Sequence, residues 1–137
     1  MPRTVPAGLA AFLGLALLAA PGAGLAASFD CNARGLSEAE TAICRDAQLS
    51  RSDEQMARRL TGLSRRLTFG QYLGLRHWHS GWTQSRDHCG TDRGCLAGSY
   101  RAQSRFLDRL QLCLDAGFQR RGCLRNTLNL EREAVRR

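Results

Sequence analysis

Residues 37–67 read SEAETAICRDAQLSRSDEQMARRLTGLSRRL and contain two helix starts in succession. Ser37 and Glu40 have the spacing of a capping box, in which each side chain accepts a hydrogen bond from the backbone amide of the other, so a short helix is predicted here. Asp46 is a second N-cap candidate and opens a longer helix. Apolar residues recur in that helix every three or four positions, at Leu49, Met56, Leu60, Leu63 and Leu67. This spacing predicts two consecutive helices, of which the longer is amphipathic.

The chain beyond this stretch keeps the helical spacing. Gly70 is expected to end or kink the long helix, and the next helix is interrupted by Gly74 and Gly81, which cost about 1 kcal/mol each relative to alanine. That segment is predicted as one helix or two pieces, with the apolar series Tyr72, Leu75, Trp78 or His79, and Trp82. A third long helix from about Cys95 has apolar positions at Leu96, Tyr100, Leu107, Leu110 and Leu114. A last short helix is predicted from about Gly122 to Arg137. The expected fold is an all-α domain of three to four principal helices held together by disulfides.

The N-terminal apolar run is typical of an export signal. Arg3 precedes the run from Val5 to Leu18, and a helix-breaking Pro-Gly pair and small residues follow it. The unbroken apolar part is shorter than the roughly 20 residues that span a bilayer. We therefore expect a signal peptide at residues 1–27, cleaved after Ala26 or Ala27, and no transmembrane segment in the mature chain.

The six cysteines favour disulfides, because exported chains of this size commonly oxidise their thiols. All six fall within residues 28–137, which we expect to form a single periplasmic or secreted domain. Several pairings are possible; we prefer a local set in which each pair flanks a helix start or a turn, namely Cys31–Cys44, Cys89–Cys95 and Cys113–Cys123. Closing the first loop would stabilise the fold by about 3 kcal/mol. No lipid anchor is expected, because Cys31 lies too far beyond the cleavage site.

The chain is strongly basic, with 20 arginines, no lysine and a formal net charge of +8. Such a charge attracts phosphates, anionic glycans and lipid headgroups without identifying a partner. In the long helix Arg51, Arg58 and Arg65 recur every seven residues opposite the apolar stripe, and Arg59 and Arg66 flank them. These five residues predict a solvated outer face; the alternative is a face that binds an anion or a partner.

No motif in the sequence points to catalysis. His77, His79 and His88 lie too far apart along a helix, or on different sides of it, to hold one metal ion. The aspartates show no spacing typical of a paired-carboxylate site, and no nucleophile motif occurs. We therefore expect no enzyme activity, no cofactor and no metal, and nucleic acid is not an expected partner.

Arg86 and Asp87 stand just before Cys89, near the end of a tryptophan-bearing helix. Charge-assisted hydrogen bonds between the two are predicted to fix the following turn. Trp78 and Trp82 are interpreted as core or core-edge residues, and the alternative is that one of them anchors a partner.

The spacing of the cysteines and of the residues between them resembles a known family. The matching positions are Phe29-Asp30-Cys31, Glu40-Thr41-Ala42-Ile43-Cys44, Leu49, Asp53, Trp82, Arg86-Asp87-x-Cys89, Cys95-Leu96 and Tyr100. Together they resemble the N-terminal domain of the LprI-type lysozyme inhibitors, from about residue 29 to residue 110. Residues 111–137 would then be a C-terminal extension that carries the third cysteine pair.

The resemblance implies a small exported helical domain that binds a lysozyme. It also implies a structural role for the family-motif residues Asp30, Glu40, Asp53, Trp82, Arg86, Asp87 and Tyr100. Two functions are therefore expected as alternatives. The first is inhibition of a lysozyme by protein–protein binding, which we favour. The second is binding of anionic glycan, lipopolysaccharide or a membrane surface through the arginine face.

Overall fold

The computed structural model describes residues 27–117 and 120–136, which contain five α-helices. They are α1 (Glu38–Arg45), α2 (Ala47–Ser64), α3 (Phe69–Asp87), α4 (Arg93–Asp115) and α5 (Arg120–Val135). No strand occurs in these two ranges, so the prediction of an all-α fold is confirmed. Four of these helices have 16 residues or more, and the fifth, α1, has 8 residues and adds to the three to four principal helices predicted. Apart from Ala27, the predicted signal peptide lies outside the described residues.

Side-chain caps begin α1 and α2 where the sequence predicted them. The amide of Glu40 donates to Ser37 Oγ at 3.1 Å, and the amide of Ser37 donates to Glu40 Oε2 at 2.9 Å. The side chain of Asp46 caps α2 by accepting hydrogen bonds from the amides of Gln48 and Leu49. Asp92 caps α4 in the same way, so this helix begins two residues before the predicted start at Cys95.

The link between α2 and α3 differs from the prediction. Helix α2 ends at Ser64, so Leu67 lies outside it, and Gly70 lies in the first turn of α3 instead of ending α2. The physical reason is a second capping box, in which the amide of Thr68 donates to Gln71 Oε1 at 3.0 Å and starts a new helix. From there α3 continues unbroken to Asp87.

Gly74 lies at a close approach of α3 and α5. A Cβ atom at this position would lie 3.3 Å from Leu124 Cδ2, closer than most such contacts. The glycine therefore lets the two helices pack tightly, which offsets part of its cost inside a helix.

The core is centred on α4, which packs against α2 and α5 and also contacts α1 and α3. Its largest fully buried side chains include Ile43, Leu75, Leu96, Phe106, Leu107 and Leu110. Trp78 is half-buried and stacks on Phe106, with ring centroids 3.6 Å apart. Cys123 and Leu124 of α5 are also buried, so the predicted C-terminal extension packs into the same core.

Three disulfides join Cys31 to Cys44, Cys89 to Cys95 and Cys113 to Cys123, which is the pairing preferred from the sequence. The first ties an N-terminal loop to α1, the second closes the turn between α3 and α4, and the third joins α4 to α5. Across the two described ranges, none of the helices has both the length and the apolar character needed to cross a membrane.

Candidate binding site

A buried charged cluster connects three helices at the centre of the fold. Tyr100 of α4 donates its hydroxyl hydrogen bond to Asp53 Oδ1 of α2 at 2.8 Å. Arg86 Nη1 of α3 lies 3.7 Å from the same carboxylate oxygen and 3.4 Å from the tyrosine oxygen. Asp53 is 1% exposed and the other two are 3% exposed. A carboxylate and a guanidinium thus neutralise each other where water is excluded.

Arg86 also contacts groups around this pair. Its Nε and Nη2 donate to Asp87 Oδ1 at 2.9 and 2.7 Å, which is the charge-assisted pair expected from the sequence. Nη2 lies 3.9 Å from Glu40 Oε1 of α1, and the guanidinium carbon lies 5.6 Å from the ring centroid of Trp82. One side chain therefore links α3 to α1, α2 and α4.

The protonation states of the cluster follow from these contacts. Burial opposes the charge of Arg86, but hydrogen bonds to Asp87 and Tyr100 outweigh it and raise the pKa of Arg86 above its ordinary value. Burial and the adjacent Asp53 carboxylate raise the pKa of Tyr100. The guanidinium stays charged and the phenol stays a donor at neutral pH.

Six of the seven family-motif residues meet in or beside this cluster, and Asp30 does not. The six are Glu40, Asp53, Trp82, Arg86, Asp87 and Tyr100. The central charges of the cluster, on Asp53 and Arg86, are buried. This arrangement supports the structural role that the resemblance implied for these six residues.

Asp30 organises an exposed loop, residues 30–36, which we call the Arg34 loop. Asp30 Oδ1 accepts from the amide of Asn32 at 2.8 Å, and the Asp30 carbonyl accepts from the amide of Ala33 at 3.1 Å. Gly35 has a φ of 81°, a conformation that favours glycine. Arg34 is exposed between these two turns. The loop therefore presents a guanidinium from an ordered backbone.

Both ends of the Arg34 loop are attached to α1. The disulfide from Cys31 reaches Cys44 near the end of that helix, with 5.8 Å between the Cα atoms. The capping box of Ser37 and Glu40 follows directly after the loop. Arg34 was not predicted from the sequence, because a loop has no periodic pattern. The available signal was an Arg-Gly pair between a bridged cysteine and a helix cap.

The five predicted arginines do not form a continuous cationic face. Three of them pair with carboxylates: Arg58 with Glu54, Arg59 with Asp108 at 2.5 Å, and Arg66 with Asp115 at 2.7 Å. The last two pairs join α2 and the segment after it to α4. Arg51 and Arg65 are exposed and have no ion pair within the described ranges. Most of the positive charge predicted for this face is therefore neutralised locally.

His79 of α3 lies beside the buried cluster. Its ring stacks on Trp82 with centroids 5.3 Å apart, and its Nδ1 lies 3.4 Å from Nε2 of the buried Gln103. Burial, and then the positive charge of Arg86, lower the pKa of His79, although Asp53 acts in the opposite direction. The folded protein therefore favours the neutral ring.

We expect the contribution of His79 to make the fold less stable as the pH falls below about 6.5, the ordinary pKa of histidine. In that range the unfolded chain takes up a proton that the folded protein resists until a lower pH, so acid favours unfolding. The variant His79→Gln should lose this part of the pH dependence, measured by urea unfolding across a pH series. The exposed His77→Gln serves as the control. A His79→Gln profile parallel to that of the wild type would contradict the expectation.

Comparison with known proteins returns no relative from which the site could be inferred. No protein-family model, curated protein or solved structure matches the chain. The resemblance to the LprI-type inhibitors therefore stays a prediction from the sequence.

Proposed function

We propose that this is an exported binding protein that inhibits a lysozyme through the Arg34 loop. The three disulfides support export, because such bridges persist in oxidising compartments and are rare in the cytosol. The resemblance to the LprI-type inhibitors supports a lysozyme as the partner. The single observation that carries the proposal is the exposed Arg34 on a loop held by the Cys31–Cys44 disulfide.

An ordered loop suits inhibition because it loses little conformational entropy on binding. Lysozymes place two carboxyl groups around the bond that they cleave. A guanidinium binds a carboxylate through two parallel hydrogen bonds, so Arg34 has the chemistry to occupy such a cleft. Many secreted lysozymes are basic, and the positive chain is repelled from them at long range. The contact must therefore rely on local complementarity between Arg34 and the cleft.

Binding of an anionic envelope polymer through the arginine face is the weaker proposal. Three of its five arginines are already paired with carboxylates, as described above. Such binding would also weaken steeply as salt rises, because exposed charges are screened within about 8 Å at physiological ionic strength. Salt dependence therefore separates the two functions.

The proposal predicts that the oxidised protein slows the clearing of a bacterial cell-wall suspension by at least one type of lysozyme. Inhibition should saturate near one equivalent and persist at physiological salt. Arg34→Ala should raise the half-inhibitory concentration by about tenfold or more, equivalent to about 1.4 kcal/mol. Arg34→Lys should be intermediate, because an ammonium lacks the planar fork of the guanidinium.

Arg101→Ala is the matched control, because it removes the same charge from an exposed position on α4. It should leave inhibition unchanged. Equal losses for the two alanine variants would mean that net charge, not the Arg34 loop, drives binding. Absence of inhibition of every lysozyme type would refute the proposed function.

A further inference from the structure

An open groove of about 730 Å³ runs between α3 and α5, away from the Arg34 loop. Its apolar surface comes from Trp78 and Trp82 of α3 and from Leu128 of α5, with Gly74 and Gly81 between them. The volume falls within the range of about 300–1,000 Å³ that is usual for small-molecule sites. The groove is large enough for a small ligand and has an aromatic wall.

Gly81 leaves this groove open without any requirement from packing. A Cβ atom at this position would meet nothing within 4 Å, in contrast to Gly74, where it would approach Leu124. Glycine inside a helix costs about 1 kcal/mol relative to alanine. At Gly81 no close helix packing compensates for that cost. The absence of a side chain here leaves the groove between α3 and α5 open.

The charged groups along the groove are mainly positive. Arg132 and Arg136 of α5 line it, are exposed, and have no ion pair within the described ranges. Glu131 also lines it, but this carboxylate already pairs with Arg109. His77 is the remaining titratable group there. A ligand would therefore meet an apolar wall and two available guanidinium groups.

We propose that this groove binds a long-chain carboxylate, that is, a single acyl chain with an anionic end. The chain would lie against Trp78 and Trp82 in the space that Gly81 leaves open. The carboxylate would bind Arg132 or Arg136, because a guanidinium fork matches its two oxygens. A neutral or cationic amphiphile lacks this second contact. The inference goes beyond the proposed function, since it uses neither the Arg34 loop nor a lysozyme.

Tryptophan fluorescence tests the proposal directly, because the chain has two tryptophans and both line the groove. The purified oxidised protein is titrated with dodecanoate below its micellar concentration. Dodecanol, dodecyltrimethylammonium, dodecyl phosphate and acetate are titrated in parallel. We expect a saturable change in emission with dodecanoate, with affinity at least about tenfold higher than for the neutral and cationic probes, and no change with acetate.

Two variants separate the contributions of shape and charge. Gly81→Leu fills the groove while favouring the helix, so it should weaken dodecanoate binding by about tenfold or more. Its control is Gly62→Leu on α2, where a Cβ atom also meets nothing within 4 Å. The double variant Arg132→Gln/Arg136→Gln should remove the preference for dodecanoate over dodecanol. Its control is Arg101→Gln/Arg105→Gln, a matched change of two exposed arginines on α4.

Circular dichroism melts establish that each variant is folded, so a loss of binding reports on the groove. Equal binding of all the dodecyl probes would overturn the proposal, because it would show non-specific partition onto an apolar surface. Dodecyl phosphate binding without dodecanoate binding would overturn the assignment to a carboxylate. Dodecanoate binding unchanged by Gly81→Leu would place the ligand elsewhere and overturn the site.

Discussion

Arg86→Met is expected to lower the free energy of unfolding by about 3–5 kcal/mol. The substitution keeps much of the apolar length of the side chain but leaves Asp53, which is 1% exposed, without its cation. It also removes the hydrogen bonds to Asp87 and the contact with Tyr100. Domains of this size have a total stability of about 5–15 kcal/mol, so the loss is a large fraction of it. Urea unfolding followed by circular dichroism measures the effect.

A double variant distinguishes the buried charge from lost packing. Asp53→Asn/Arg86→Met should be more stable than Arg86→Met alone, because the amide leaves no unpaired carboxylate in the core. Arg59→Met breaks the Arg59–Asp108 pair at the surface and should cost only about 0–1 kcal/mol. A double variant that is less stable than Arg86→Met would show that the loss comes from packing or hydrogen bonding instead of charge.

Replacing Cys31 and Cys44 by serine should lower the free energy of unfolding by about 3 kcal/mol and also weaken lysozyme inhibition. The bridge spans 13 residues, and the chain-entropy model assigns a stabilisation of this size to such a loop. Inhibition should fall because the Arg34 loop loses one of its two attachments to α1. The loop would then have to become ordered on binding, which raises the entropic cost of association.

The turn between α3 and α4 offers the matched control. Cys89→Ser/Cys95→Ser opens a bridge that spans 6 residues and should cost about 2 kcal/mol. This pair does not hold the Arg34 loop, so inhibition should persist wherever the variant is folded. Equal losses of inhibition in the two variants would mean that overall stability, and not the order of the Arg34 loop, sets the activity. Chemical unfolding and cell-wall clearing are measured on the same preparations.

Local features of this fold were predictable from the sequence because the interactions that cause them are close along the chain. Ser37 and Glu40 are three residues apart, and Asp46 caps amides two and three residues ahead. The disulfide pairing could also be predicted from the sequence, since the paired cysteines are separated by only 13, 6 and 10 residues. The position of one helix end was predicted wrongly because a glycine was interpreted without the capping residue that precedes it. Gly70 was expected to end a helix, but the Thr68 cap starts one just before it.

The contacts between distant residues depended on how the helices pack. Asp53 and Tyr100 are 47 residues apart, and a hydrophobic pattern carries no information about which two buried polar side chains will meet. The resemblance had named both residues, but only the packing of α2, α3 and α4 places them around Arg86. The arginine face also depended on packing between helices. Arg65 and Arg66 lie beyond the end of α2, and Arg59 is neutralised by Asp108 of α4, a partner that no local pattern can supply. Capping and short loops are properties of neighbouring residues, whereas charge pairing in the core and grooves between helices arise only once the helices are packed.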